Sequence, residues 1–159
     1  MFVLFCYDMD MKWIVGVDEV GRGPIAGPVS VCVCAISADC YKKMSDSWRR
    51  EGLTDSKKVS PKQREWWYEK AKVLQKEGSI YYAVISRNAC IIDKKGIQQA
   101  IRECIAEGFE KLSLELKETI VYLDGGLKAP MEYKNQTTII KGDLKEPSIS
   151  FASVIAKLS

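Results

Sequence analysis

The stretch that decides the fold is Gly16-Val17-Asp18-Glu19-Val20-Gly21-Arg22-Gly23-Pro24-Ile25-Ala26-Gly27-Pro28-Val29. The apolar run at 13–17 predicts a buried strand that is followed by two consecutive carboxylates. Residues 21–28 hold three glycines and two prolines, a composition that the interior of a helix or a strand does not tolerate. A valine- and cysteine-rich run at 29–36 predicts a second strand. The stretch is therefore a strand, a constrained loop and another strand.

Helices are predicted in three later segments. Ser60, Pro61 and Gln63 form a capping signal, so a helix should begin there and run to about Glu77. Apolar residues recur at helical spacing over 96–114, which predicts a long amphipathic helix. After the break at Pro147, residues 148–158 begin an apolar helix. The mixed segment around 39–52 is assigned no element.

Further strands are predicted at 79–86, 119–123 and 137–140 from their β-branched and aromatic residues. Strands that alternate with helices in this way predict an α/β domain with a central sheet covered by helices. The length of 159 residues, with 47% hydrophobic and 28% charged residues, suits one ordinary globular domain. We expect a monomer.

Composition limits the classes of function. The formal charge of +3 permits a polyanionic partner without requiring one. The chain has no histidine and no Cys-x-x-Cys pair, so the usual zinc sites are poorly supplied. Cysteines in apolar runs indicate small core residues in a reducing compartment, so we expect a cytoplasmic protein. No apolar run approaches the roughly 20 residues that span a bilayer, so no membrane association is expected.

Three carboxylates stand at the ends of predicted strands: Asp18 and Glu19 after the first, and Asp124 after the run at 120–123. A single carboxylate in such a place is most often merely solvated. Three that converge would repel one another unless a cation neutralised them, and hard oxygen ligands favour Mg²⁺ or Mn²⁺. Such a cluster is what two-metal hydrolysis of a phosphodiester requires.

The loop beside the first two carboxylates contains Gly21, Arg22 and Gly23. Residues without side chains let backbone amides approach a phosphate or a ribose hydroxyl, and arginine adds a permanent positive charge. Taken alone, Gly-Arg-Gly is simply a flexible turn. Its position next to Asp18 and Glu19 favours a role in binding substrate.

The chain resembles the ribonuclease HII family, whose opening signature is closely similar to residues 16–29. Agreement continues in order through Leu-Thr-Asp-Ser-Lys-Lys-Val-Ser at 53–60, Tyr-Leu-Asp-Gly at 122–125, Ile-Lys-Gly-Asp at 140–143 and Ala-Ser-Val-Ile-Ala-Lys at 152–157. The resemblance implies a ribonuclease H-like fold, in which a central mixed β-sheet is flanked by α-helices.

The resemblance also implies an activity. Asp18, Glu19 and Asp124 match three of the family's four active-site carboxylates, and residues 21–23 match the loop that senses the ribose 2′-hydroxyl. Family enzymes use Mg²⁺ or Mn²⁺ to cut RNA paired with DNA and ribonucleotides embedded in duplex DNA. They leave a 3′-hydroxyl and a 5′-phosphate, and they serve ribonucleotide excision repair.

Five further residues match family positions near the nucleic-acid backbone: Lys57, Lys58, Lys141, Ser148 and Ser153. Lys58 could equally be part of a solvated turn, and Ser153 could be a small packing residue in the last helix. Asp143 invites a guess at a metal ligand, but the family pattern implies a structural or positioning role, so it stays outside the catalytic set.

The expected division is a short N-terminal extension, 1–12, and a ribonuclease H-like catalytic domain, 13–159, incomplete at its C-terminus. Family members continue with an Arg-Asp pair whose Asp is the fourth carboxylate, so we expect impaired activity. Two alternatives stay open. One is a fragment that binds RNA/DNA hybrids without cleaving them. The other is a ribonuclease HIII-type enzyme, against which the twelve residues before Trp13 argue, because that type carries an N-terminal substrate-binding domain.

Overall fold

The central element is a mixed five-stranded sheet, seen in a computed structural model that describes residues 10–23, 27–53 and 58–159. Its order is β3-β2-β1-β4-β5. The strands are β1 (Trp13–Val20), β2 (Val29–Ser37), β3 (Ile80–Arg87), β4 (Thr119–Asp124) and β5 (Gln136–Ile139). The pairs β1–β2 and β2–β3 are antiparallel, whereas β1–β4 and β4–β5 are parallel. The predicted mixed sheet flanked by helices is confirmed.

Helices cover both faces of this sheet. They are α1 (Ala38–Arg50), α2 (Pro61–Lys76), α3 (Ala89–Lys95), α4 (Ile97–Leu112), α5 (Gly142–Lys145) and α6 (Pro147–Leu158), with a 3₁₀ turn at Leu116–Glu118. The capping box predicted for α2 is present, since the Ser60 hydroxyl accepts from the Gln63 amide and the Gln63 side chain accepts from the Ser60 amide.

Three sequence predictions need correction. Residues around 39–52, which were assigned no element, form α1, whose N-cap is Ser37 and whose buried residues include Tyr41 and Trp48. The strand predicted at 13–17 extends to Val20, so Asp18 and Glu19 lie within its last three residues rather than after it. Pro147 does not precede α6 but is its first residue, a position where its missing N–H costs no hydrogen bond.

Each face of the sheet has its own core. On one face α6 packs against β1 so closely that a Cβ on Gly16 would overlap the carbonyl of Ser148. Phe151 of α6 is fully buried there, edge to face with Trp48 of α1 at 4.8 Å and with Trp67 of α2 at 5.6 Å between ring centroids. On the other face, α4 packs against β2 and β3. Helix α6 is therefore seated directly on the strand that carries the first two carboxylates.

Within the described ranges no helix combines the length and the hydropathy that a membrane span needs. The cysteines at 32, 34, 40, 90 and 104 are unpaired, and all except Cys90 are buried. The prediction that cysteines in the apolar runs act as small core residues is confirmed for Cys32, Cys34 and Cys104.

Candidate metal centre

Parallel pairing brings the carboxylates together. The register of β1 with β4 ends at Val17 opposite Leu123, so the next positions along the two strands are Asp18 and Asp124. Glu19 follows directly on β1. One oxygen from each of these three side chains lies within 4.8 Å of the others. The convergence that the sequence predicted is present in the structure.

Burial, with a smaller contribution from neighbouring negative charges, raises the pKa of both Asp18 and Glu19. Asp18 is only 5% exposed, and its burial raises its pKa to about 8, with smaller upward contributions from the charges of Asp124 and Glu19. A hydrogen bond from Ser153 opposes that rise. The pKa of Glu19 is also raised, chiefly by burial, although the nearby Arg22 guanidinium lowers it. Ionising Asp18 and Glu19 in the folded protein therefore carries an energetic cost that a cation would relieve.

The two carboxylate oxygens of Glu19 differ in their hydrogen bonding. Its Oε1 accepts from Arg22 Nη1 at 3.2 Å, a weak pair because the arginine side chain is 42% exposed. Its Oε2 is buried and has no hydrogen-bond partner among the residues that the structure describes. A buried anionic oxygen without a donor is costly unless a cation binds it. The donor set, three carboxylates and no nitrogen or sulfur, suits Mg²⁺ or Mn²⁺.

Backbone and side-chain donors hold the two aspartates in place. The amide of Gly142 donates to Asp124 Oδ1 at 2.6 Å, and the amide of Glu19 donates to Asp18 Oδ1 at 2.8 Å. Ser153 of α6 donates its hydroxyl to Asp18. Outer contacts of this kind orient metal-binding carboxylates.

Gly142 is a contributor that the sequence analysis missed. A side chain there would press on Asp124, because a Cβ would lie 3.2 Å from its Oδ1 and 2.5 Å from Ile149 Cδ1. The only signal in the sequence was the glycine itself, within the Lys-Gly-Asp loop, and a glycine in a loop has many explanations. Its partner, Asp124, is brought near by the pairing of β4 with β5, which the sequence alone does not reveal.

The predicted substrate-binding residues fall into different places. Gly21, Arg22 and Gly23 are exposed and directly follow β1, beside the cluster. Lys58 and Lys141 are also exposed, and the backbone of Lys141 precedes the amide that binds Asp124. Lys57 lies outside the described residues. The roles of these residues in binding substrate stay predictions.

The two predicted serines are inside the molecule. Ser148 is fully buried, and its hydroxyl donates to Glu146 Oε1 at 3.0 Å, so its predicted contact with a phosphate is not supported by this packing. Ser153 is 2% exposed and supports Asp18 instead of facing solvent. Asp143 was left out of the predicted catalytic set. Its backbone carbonyl accepts a hydrogen bond from Ser150 Oγ at 2.7 Å, which helps to join α5 to α6.

Fold and site together define an α/β protein of the ribonuclease H-like type, with a carboxylate cluster where the central parallel strands end. The profile of the ribonuclease HII family matches residues 15–159. The chain belongs to the ribonuclease HII family.

Known relatives agree with this assignment. The chain is 38% identical over 158 residues to ribonuclease HII of Shouchella clausii and 40% identical over 148 residues to that of Caldicellulosiruptor bescii. The alignments cover 96% and 93% of this chain. They cover 54% and 65% of the relatives, so the chain spans little more than half of the first and about two thirds of the second. Its fold is similar to ribonuclease H2 of Pyrococcus horikoshii, with a TM-score of 0.69 and 27% identity, over 92% of this chain and 71% of that one.

Proposed function

We propose that this chain carries the active-site carboxylates of an endonuclease that hydrolyses the RNA strand of RNA/DNA hybrids and cuts at ribonucleotides embedded in duplex DNA. The products would be a 3′-hydroxyl and a 5′-phosphate. The observation that carries the proposal is the convergence of Asp18, Glu19 and Asp124 within 4.8 Å, in a chain of the ribonuclease HII family. The buried, unpartnered Oε2 of Glu19 adds support for a cation-dependent site.

We propose that these three side chains would hold divalent cations, two in the complete site. Bound there, Mg²⁺ or Mn²⁺ would supply the positive charge that stabilises the transition state of phosphodiester hydrolysis. Arg22 is 42% exposed at the edge of the cluster, so its guanidinium can leave Glu19 for a phosphate at little cost. Gly21 and Gly23 are exposed residues, and their backbone amides would meet the ribose 2′-hydroxyl.

The test is cleavage of a labelled DNA duplex that contains one ribonucleotide, in Mg²⁺ or Mn²⁺, with an all-DNA duplex as the substrate control. The 159-residue chain is compared with a form extended by the C-terminal segment of the Caldicellulosiruptor relative, since the family resemblance implies a fourth carboxylate there. Asp124→Asn removes one member of the cluster, and Asp93→Asn removes an exposed carboxylate of α3 as the matched control.

We expect cleavage on the 5′ side of the ribonucleotide by the extended form, loss of at least a hundredfold in rate for Asp124→Asn, and full activity for Asp93→Asn. Cleavage that survives Asp124→Asn would contradict the assigned site. Absence of cleavage in both forms, together with tight binding of the ribonucleotide-containing duplex, would favour a hybrid-binding protein instead.

A further inference from the structure

The junction between α5 and α6 contains a buried carboxylate that the proposed chemistry does not use. Glu146 is 9% exposed and precedes α6 as its N-cap. Its Oε1 accepts three hydrogen bonds: from Tyr41 Oη at 2.6 Å, from Ser148 Oγ at 3.0 Å and from the Ser148 amide at 3.3 Å. A buried acidic group with this many donors is held in one orientation.

These bonds fasten the junction to α1. Tyr41 comes from α1, more than a hundred residues away in sequence. About two turns further along α1, Arg49 donates to the carbonyl of Lys145, next to Glu146. Two residues of α1 therefore hold two consecutive residues of the junction. Burial raises the pKa of the Glu146 carboxyl, and the hydrogen bonds from Tyr41 and Ser148 and the charge of Arg49 oppose that rise.

From this junction, one connection leads to Asp124. The amide of Glu146 donates to the carbonyl of Gly142 at 2.8 Å, and the amide of Gly142 in turn donates to Asp124 Oδ1 at 2.6 Å. Displacement of Glu146 would therefore release the short helix α5 whose first residue orients that aspartate.

A second connection leads to Asp18. Ser148, held by Glu146, lies against Gly16, and Ser153 further along the same helix hydrogen-bonds to Asp18. Ser153 lies five residues after Ser148, about 7.5 Å further along the helix axis. The position of the first turn of α6 along that axis therefore sets the position of the Ser153 hydroxyl relative to Asp18. The two connections leave the same residue and end on two different members of the carboxylate cluster.

We propose that Glu146 is a positioning residue for the carboxylate cluster: locked to Tyr41 of α1, it holds the Gly142 amide on Asp124 and the Ser153 hydroxyl on Asp18. The inference rests on the proposed metal site, and it assigns to Glu146 no contact with substrate or metal. All three hydrogen bonds are accepted by one oxygen of Glu146. A glutamine at this position has an oxygen that can accept the same three hydrogen bonds, whereas an alanine has none.

The experiment compares Glu146→Ala with Glu146→Gln and with a destabilising control, Phe109→Leu, which perturbs the core on the other face of the sheet, where Phe109 packs on Tyr133. Two quantities are measured well below each variant's Tm: the Kd for Mn²⁺, by calorimetry, and the hydrogen-exchange protection of the Gly142 amide in chelator, by NMR. The second needs no metal.

We expect Glu146→Ala to weaken Mn²⁺ binding about tenfold, the lower range for loss of an outer support, and to lower the protection of the Gly142 amide. Glu146→Gln should stay within about twofold of the starting chain in Kd and keep that protection, as expected for an acceptor that supplies the same hydrogen bonds. Phe109→Leu should lower Tm and change neither quantity.

Unchanged Mn²⁺ affinity and unchanged Gly142 protection in Glu146→Ala would overturn the proposal. The proposal would also be overturned if Glu146→Gln lost Mn²⁺ affinity and Gly142 protection to the same extent as Glu146→Ala. The hydrogen bonds accepted by residue 146 would then not account for the positioning of the cluster. If the starting chain itself binds no Mn²⁺, the proposed metal site fails, and the exchange of the Gly142 amide still decides whether Glu146 positions the cluster.

Discussion

Replacing Asp18 by asparagine should stabilise the metal-free chain while removing its capacity to bind a divalent cation. Asp18 is buried, and the folded chain raises its pKa from an ordinary 3.8 to about 8. The folded chain therefore holds a proton that the unfolded chain releases, so stability from this group is lost as the pH rises between those two values. Asparagine is neutral and keeps an oxygen that can accept hydrogen bonds from the Glu19 amide and Ser153. The variant should therefore not lose stability through residue 18 as the pH rises.

The magnitude follows from the shift. Each pKa unit corresponds to about 1.4 kcal/mol, so holding the proton of Asp18 at pH 7 costs at most about 4 kcal/mol. Relaxation and water penetration reduce such penalties in a folded chain, and we expect the substitution to recover about 2 kcal/mol. For a domain of this size that corresponds to a rise in Tm of about 4–8 °C. At pH 4 the gain should fall below about 1 kcal/mol, because Asp18 is then protonated in the folded chain and already partly protonated in the unfolded chain.

The assay is urea unfolding of the starting chain and Asp18→Asn in chelator, from pH 4 to pH 8, repeated with Mn²⁺. The stabilisation should grow with pH in chelator. Added Mn²⁺ should then stabilise the starting chain by mass action and leave the variant unchanged. A variant that is less stable than the starting chain at pH 8 in chelator would refute the reasoning, since the buried carboxyl would then be stabilising rather than costly.

Three further substitutions test the supports of the site. Gly16→Ala should destabilise the chain by several kcal/mol or prevent folding, because its methyl group would overlap the Ser148 carbonyl; soluble expression and Tm check this. Gly142→Ala should weaken Mn²⁺ binding about tenfold by displacing the amide that orients Asp124, measured by calorimetry. Phe151→Ala should lower the free energy of unfolding by about 3–5 kcal/mol through loss of a fully buried ring, measured in urea; a loss below 1 kcal/mol would contradict its place in the core.

Local patterns predicted most of the sheet and the long helices, and the exceptions have physical causes. Helix α4 presents a clear apolar stripe, so its spacing identified it. Helix α1 buries only four residues, which include Tyr41 and Trp48, in a segment that is otherwise mostly charged or polar, so it offers few apolar positions from which a helix could be identified. Helix α3 is seven residues long and buries none. The caps Ser37 and Asn88 were the available signals.

The site was predictable to the extent that it depends on strand ends. Asp18, Glu19 and Asp124 could be grouped because each stands where an apolar run stops. The partners of Ser148 could not be inferred, since a hydroxyl in a sequence gives no sign of whether it faces a phosphate or a buried carboxylate. Glu146 was invisible for the same reason, because its main donor, Tyr41, is brought to it only by packing of α1 against the α5–α6 junction.

The central position of β1 in the sheet has a consequence during synthesis on the ribosome. Asp18 and Glu19 emerge early, but β4, which brings Asp124, and α6, which brings Ser153, follow about a hundred residues later. A nascent chain in which β1 has paired with β2, and β2 with β3, therefore displays two carboxylates and no complete cluster. Capture of a divalent cation at the proposed site should accordingly report that β4 has docked beside β1.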